Sequence, residues 1–386
     1  MFNLNLHKKT IAIAILITLL SGYTLVCSAK KTKNLKPYEK SALISINKGL
    51  EWLRQKQEPN GSFGNYLGFT GLAVTAFLKQ PNGKYKSTDP FIKKALDYIV
   101  SLQNKDGSIY DKKSQPALPN YNTSVSIMAL SAANDPKYDE VIKKAQGFIK
   151  GIQRDKDPND KFYGGIGYGD EPETASVSDL SNMNMALQAL KASNFKDQQV
   201  WSKAIKFLER CQNYSETNDQ AWATNDGGFV YAPDGRSKAG KDANGIPRSY
   251  ASMTYAGLLS FIYAGVDKND KRVQAAVNWI KRHYTLDENP PIGKQGLYYN
   301  YHTMAKALAA YGKPVITDAK GKKHKWYKEL SQKLAKLQKP DGSWINEQSR
   351  WFEKNPILVT SYAVLALEAG FPKSNLSPPK KDLRVL

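Results

Sequence analysis

A ten-residue string that keeps returning constrains this chain's fold more than any other feature. It reads Lys-Ala-x-x-aromatic-aliphatic-x-x-x-Gln. Lys48-Gly49-x-x-Trp52-Leu53-x-x-x-Gln57, Lys94-Ala95-x-x-Tyr98-Ile99-x-x-x-Gln103, Lys144-Ala145-x-x-Phe148-Ile149-x-x-x-Gln153 and Lys203-Ala204-x-x-Phe207-Leu208-x-x-x-Gln212 all carry it. Two more copies are degenerate. Tyr284 follows Trp279-Ile280 where Gln is expected, and Gln338 follows Lys333-Leu334 without the aromatic. A unit recurring at intervals of roughly 50 residues means an array of like modules.

A glycine turn follows each copy: Asn60-Gly61-Ser62-Phe63, Asp106-Gly107-Ser108-Ile109, Gly164-Gly165-Ile166, Gly227-Gly228-Phe229, Gly296-Leu297-Tyr298 and Asp341-Gly342-Ser343-Trp344. Glycine reaches positive φ freely, and the neighbouring apolar side chain plugs the gap. Each turn leads into a segment that is apolar nearly all round: 69–78, 123–133, 180–192, 252–264, 303–311 and 358–369. The segments before the turns are amphipathic, as in 92–102. A helix apolar on every side is enclosed on every side, whereas an amphipathic one lies outside. The alternation predicts an all-α fold: an α/α toroid of six helical hairpins, an inner ring within an outer ring, closed into a barrel. An open solenoid needs polar capping repeats, and neither the first nor the sixth pair has that character. The toroid is expected over residues 30–371, with an uninformative disordered tail at 372–386.

Residues 1–29 read as a signal peptide. Lys8 and Lys9 precede an apolar run from 11 to 20, and Cys27-Ser28-Ala29 forms a cleavage site before Lys30. An uncleaved segment ending near Val26 would instead anchor the chain in a membrane. Lipidation of Cys27 is a third reading, although Val26 stands where a small residue is wanted. Cleavage leaves Cys211 as the only thiol, so stability comes from packing and not from disulfides. The chain carries 56 Lys and Arg against 35 Asp and Glu, a formal +21. This excess is lysine dispersed over polar helix faces, which suits solvent or an anionic membrane surface and gives no clustered nucleic-acid footprint. The expected partner is an apolar small molecule or lipid, bound by a monomer.

The spacing of Gln103 with Asp106-Gly107-Ser108, and of Gln338 with Asp341-Gly342-Ser343-Trp344, resembles the QW repeat of the squalene–hopene cyclase and protein prenyltransferase superfamily. The resemblance covers roughly residues 37–371 and implies an α/α toroid whose cavity holds a polyisoprenoid chain. It also implies chemistries that the residues here do not reproduce. Where the cyclases carry Asp-x-Asp-Asp-Thr, this chain has Asp179-Leu180-Ser181-Asn182-Met183: only the first acid survives, and protonating an alkene needs a strongly acidic carboxyl group. Where the prenyltransferases hold zinc, Arg248 and Tyr250 replace Asp and Cys, leaving His302 alone; a zinc site needs three protein ligands. No metal and no cofactor are therefore expected. Gly227-Gly228-Phe229 resembles the start of the diphosphate clamp but lacks its Arg; Arg236, Lys238 and Lys241 lie in the insertion that follows.

In a closed hairpin ring, the residues that open the inner helices encircle one mouth, their N–H groups pointing inward. That argument nominates Asp179, His302 and Tyr250 as catalytic candidates. Tyr121, Asn122, Asn182, Arg248, Ser252, Met253, Thr254, Tyr301, Arg350 and Trp351 become ligand-binding candidates. Met128, Met183 and Met185 are expected to line the cavity with them, since Met and aromatic walls are adaptable and favour cationic intermediates. Three functions stay open: a terpenoid cyclase or prenyltransferase-like enzyme, a non-catalytic lipid-binding or interaction scaffold, and a glycan-processing enzyme using the acidic cluster Asp170, Glu171, Glu173 and Asp179.

Overall fold

A computed structural model describes residues 35–169 and 178–372. The expected signal segment 1–29, the acidic residues Asp170, Glu171 and Glu173, and the tail from residue 373 lie outside the described residues. Among those described are twelve α-helices. Six form the outer ring: α1 (Pro37–Arg54), α3 (Pro90–Ser101), α5 (Asp139–Gly151), α7 (Gln198–Cys211), α9 (Lys271–His283) and α11 (Trp326–Leu337). The other six alternate with them as the inner ring: α2 (Leu67–Lys79), α4 (Pro119–Ala133), α6 (Leu180–Ala192), α8 (Ala251–Tyr263), α10 (Leu297–Tyr311) and α12 (Pro356–Ala369). Each inner helix packs on the next, and α12 returns to α2 just as α11 returns to α1, so the ring is closed. No helix among the described residues is long and apolar enough to cross a membrane.

The repeated glutamine works as a two-way clamp. Gln57 Nε2 donates to Gly61 O in its own turn (3.0 Å) and to Phe91 O in the first turn of α3 (2.8 Å). Gln103, Gln153 and Gln212 repeat the arrangement, each reaching the next outer helix through Val141 O, Val200 O and Arg272 O. Gln338 donates to Gly342 O and to Ser45 O of α1, which ties the sixth repeat to the first. Each helical carbonyl so reached has a second lone pair free to accept the amide, so the glutamine ties its own turn to the adjacent outer helix without breaking a helical bond.

The pattern's Lys carbonyl explains the invariable glycine. A Cβ on Gly342 would stand 2.6 Å from Lys48 O, and one on Gly164 only 1.8 Å from Lys203 O. A threonine completes the unit: the N–H groups of Phe63, Ile109, Phe229 and Trp344 donate to Thr70, Thr123, Thr254 and Thr360 Oγ1 at 2.9–3.1 Å.

The fifth repeat departs from expectation. Gly296 caps α10 in the left-handed region and does not start a separate turn, so the inner helix begins at Leu297, six residues earlier than its apolar run suggested. Tyr284, standing where Gln is absent, donates to Glu329 and lies 4.2 Å from the His324 ring of a small hairpin, β1 (Ile316–Thr317) and β2 (Lys323–His324).

Candidate functional site: an aromatic chamber at the mouth of the inner ring

The inner helices present their N-termini to one end of the drum, where a chamber of about 180 Å³ opens. The third residue of every inner helix faces it: Phe69, Tyr121, Asn182, Met253, Tyr299 and Leu358. Loops add Tyr66, Leu118, Tyr168, Tyr231, Tyr250, Trp351 and Phe352, and Tyr362 reaches up from the second turn of α12. The wall is uncharged as well as aromatic. Burial pushes the phenols of Tyr121 and Tyr168 up to about 12 and those of Tyr250, Tyr299 and Tyr362 well above their ordinary range. The Tyr299 hydroxyl is buried with no hydrogen-bond partner among the described residues. Two cations stand against ring faces of the chamber residues, Lys238 Nζ 4.3 Å from the Tyr231 ring centroid and the Arg350 guanidinium 4.5 Å from that of Trp351.

Backbone strain concentrates here. Among the described residues, six non-glycine residues have positive φ, and three of them are asparagines, which tolerate it. The other three are Leu118, Trp351 and Phe352, at 45°, 56° and 63°, and all three line the chamber. Trp351 and Phe352 remain 39% and 52% exposed, so an apolar rim faces solvent. Strained bulky residues of this kind persist where surrounding structure holds them, and they gather at ligand sites.

The chamber unites some of the sequence candidates and excludes others. Tyr121, Asn182, Tyr250, Ser252, Met253 and Trp351 line it. Asp179 does not act from the wall: it is fully buried as the N-cap of α6. Its carboxylate accepts from Ser181 N and Oγ and from Asn182 N and Nδ2, at 2.7–3.0 Å. Replacing Asp179 with alanine orphans those donors, and we expect a loss of about 1–2 kcal/mol in urea unfolding; an unchanged midpoint would contradict the capping role. Glu353 serves α10 in the same way, accepting from Tyr298 N, Tyr299 N and Asn346 Nδ2.

Other expectations are corrected. Tyr301 and His302 were placed on the rim, but the early start of α10 puts them a turn and a half inside. Tyr301 donates to Leu286 O (2.6 Å) and faces away from the chamber. Thr254 is spent on Phe229, and Asn122 Nδ2 holds Ala117 O (2.6 Å). Arg248 is exposed beside a separate groove with Asp226, Trp279 and His283. Arg350 reaches Gln295 Oε1 (2.6 Å) and touches the site only through Trp351. Met128, Met183 and Met185 are buried in the core and do not line the chamber.

Inside the ring, Tyr121 of α4 and Tyr362 of α12, the two helices that flank α2, share a hydroxyl–hydroxyl bond of 2.5 Å. Lower down, Lys306 of α10 donates to Gln188 of α6. The His302 ring lies 5.2 Å from that of Tyr362, and neither of its nitrogens has a hydrogen-bond partner among the described residues. Burial, with like charge from Lys306 and Lys79, holds His302 well below its ordinary range. The unfolded chain therefore binds a proton that the folded chain refuses, and stability falls as pH drops below about 6.5. His302→Phe should lack that acid-side slope, which reaches about 1.4 kcal/mol per pH unit in the wild type; identical pH profiles in urea unfolding would refute it. Among the described residues, no group of three or more His, Cys, Asp or Glu side chains is placed to hold a metal ion.

Twelve helices closed into two rings around an aromatic mouth make this an α/α toroid protein. Residues 70–231 match the squalene-hopene cyclase C-terminal domain, and residues 171–303 match the prenyltransferase alpha-alpha toroid domain. The resemblance carried by the QW-like repeats is thus a resemblance to that superfamily in both sequence and fold. Among solved structures, a variant of the type II terpene cyclase MstE from Scytonema, in complex with its substrate geranylgeranyl dihydroxybenzoate, is 15% identical. That match covers 88% of this chain and 100% of the cyclase, with a TM-score of 0.51. A protein from Actinoplanes is 14% identical over 85% of this chain and 99% of its own, with a TM-score of 0.53. The GH76 alpha-mannanase of Bacteroides thetaiotaomicron is 10% identical over 89% and 98%, also at 0.53. Identities this low speak to the fold alone.

Proposed function

We propose that the chain binds one end of an apolar, isoprenoid-like molecule in the mouth chamber, as a binding or scaffold protein of terpenoid cyclase and prenyltransferase type. The observation that carries this reading is the convergence of Leu118, Trp351 and Phe352, three bulky left-handed residues, on a single aromatic cavity. An apolar guest gains from leaving water, and aromatic walls suit the π-bonds of isoprene units. A volume of about 180 Å³ favours the end of a chain over a whole hopanoid. That a related fold in Scytonema is bound to a geranylgeranyl compound supports the choice of guest.

Binding is favoured over catalysis because, among the described residues, the carboxylates at the mouth, Asp179 and Glu353, are committed to capping, and His302 stands outside the chamber. The export signal read in residues 1–29 would place this activity outside the cytoplasm, where the lysine-rich surface suits anionic membranes. Of the acids behind the glycan reading, Asp170, Glu171 and Glu173 lie outside the described residues and Asp179 is committed to capping. Calorimetric titration with geraniol tests the proposal: saturable binding to the wild type, lost in Met253→Trp, is expected. A wild type that does not bind geraniol would overturn it.

A further inference from the structure

We infer that the lysine excess acts through one place on the outer ring, the hairpin β1–β2 and the groove at its base, which docks the chain on the phosphate headgroups of an anionic lipid surface. Residues 313–328 break the even dispersal expected of the lysines. They hold Lys313, Lys320, Lys322, Lys323, Lys325 and Lys328, with a single acid, Asp318, among them. All six lysines are exposed, and none has an ion-pair partner among the described residues. None of them lines the chamber, so the inference stands apart from the apolar-guest reading.

The fold turns the neighbouring acids away from these lysines. Pairing of Ile316 with His324 and of Thr317 with Lys323 puts Ile316 and His324 on the buried face and leaves Thr317 and Lys323 in solvent. The two ring nitrogens of His324 then hold Asp318 Oδ2 (3.2 Å) and Glu329 Oε2 (2.9 Å), and Glu329 also accepts from Tyr284. Asp318 Oδ1 accepts from Lys320 N and Lys322 N, both at 2.9 Å, and so shapes the turn that carries the lysines. Ala319 N donates to Lys281 O of α9 (3.0 Å), which fixes the turn against the outer ring. At the base, a groove of about 910 Å³ sets Lys36, Lys325 and Lys328 beside Tyr38 and Trp326, with room for a phosphate headgroup. The cluster contains no arginine. Lysine is a hydrated point charge without the planar fork that reads nucleic acid bidentately. It suits a diffuse negative surface, and clusters of roughly four to eight basic residues are what anionic lipids attract.

The test is co-sedimentation of the full chain with vesicles of equal parts phosphatidylglycerol and phosphatidylcholine, and with vesicles of phosphatidylcholine alone. The readout is the ratio of the two partition coefficients, in which any apolar attraction common to both cancels. Each lysine near the surface contributes roughly fivefold, so the triple variant Lys320→Ala, Lys322→Ala, Lys323→Ala should lower the ratio at least about thirtyfold. The control triple Lys105→Ala, Lys112→Ala, Lys113→Ala removes the same charge from exposed lysines of the second repeat and should lower it less than about fivefold. If the hairpin triple does not fold, the three single variants decide, each expected to lower the ratio about fivefold. A wild-type ratio near one overturns the inference, as does a hairpin variant that matches the control. Tighter binding of the wild type to duplex DNA than to the anionic vesicles, lost in the hairpin variant, would make nucleic acid the partner and overturn the lipid assignment. Geraniol binding should be unchanged in both triples, so failure here and failure of the apolar-guest reading are read separately.

Discussion

Gly164→Ala is expected to destabilise the fold by about 3–5 kcal/mol, a large share of the ~5–15 kcal/mol that holds a typical domain together. Two effects add. At a φ of +83° any side chain meets left-handed strain, of order 1–2 kcal/mol. The new Cβ would also lie 1.8 Å from Lys203 O and 2.5 Å from its carbonyl carbon, and these are backbone atoms that cannot swing aside. Relieving the clash pushes α7 away from α5 and stretches the clamp from Gln153 Nε2 to Val200 O, now 3.0 Å. Gly147 supplies the control. It is exposed in the middle of α5 with open space around its Cβ position, so Gly147→Ala should stabilise by about 0.5–1 kcal/mol. Urea unfolding of both variants checks the pair. A Gly164→Ala protein within 1 kcal/mol of wild type would mean that the hairpins do not approach as closely as described.

The second large effect concerns the chamber. Met253→Trp places an indole where six inner helices converge and should abolish geraniol binding while the melting transition stays near that of the wild type. The expected size follows from area. Burying roughly 100 Å² of apolar guest surface at ~25 cal/mol/Å² contributes about 2.5 kcal/mol, or close to two decades in affinity. Met253 suits the substitution because its backbone lies in the first turn of α8 and the larger side chain can extend into the open mouth. Unaltered geraniol affinity in the folded variant would place the guest elsewhere on the protein.

Much of the architecture was legible in order of residues. The ten-residue string located the outer helices, and the Gln and Gly at its end marked the clamp later seen between each turn and the next helix. The six all-apolar segments located the inner helices, except where α10 hid its start behind Gly296. That boundary was missed because Leu297-Tyr298-Tyr299 mimics the apolar plug of a glycine turn. The error carried Tyr301 and His302 onto the rim when they belong to the interior.

The site was only partly legible. Reading the mouths of the inner helices found Tyr121, Asn182, Tyr250, Ser252, Met253 and Trp351. It missed Phe69 and Leu358, although a rule of counting to the third residue of each inner helix would have found both. Tyr66, Leu118, Tyr168 and Tyr231 come from loops whose paths no periodicity fixes. Tyr362 was missed because nothing in a uniformly apolar run shows which of its residues faces the axis. Thr254 and Asp179 were read as functional, but polar side chains at helix starts serve caps and turns as readily as ligands.

Taken by itself, the order of residues determined the hairpin unit, its sixfold repetition and the need for closure, because these follow from local spacing and from which faces must leave water. Only the tertiary structure decided which side chains meet inside the ring. It brings together side chains of helices such as α4 and α12, distant in the chain and separated by α2 in the ring. Whether two tyrosines 241 residues apart touch is fixed by the curvature of the assembled ring, and no local pattern encodes that distance.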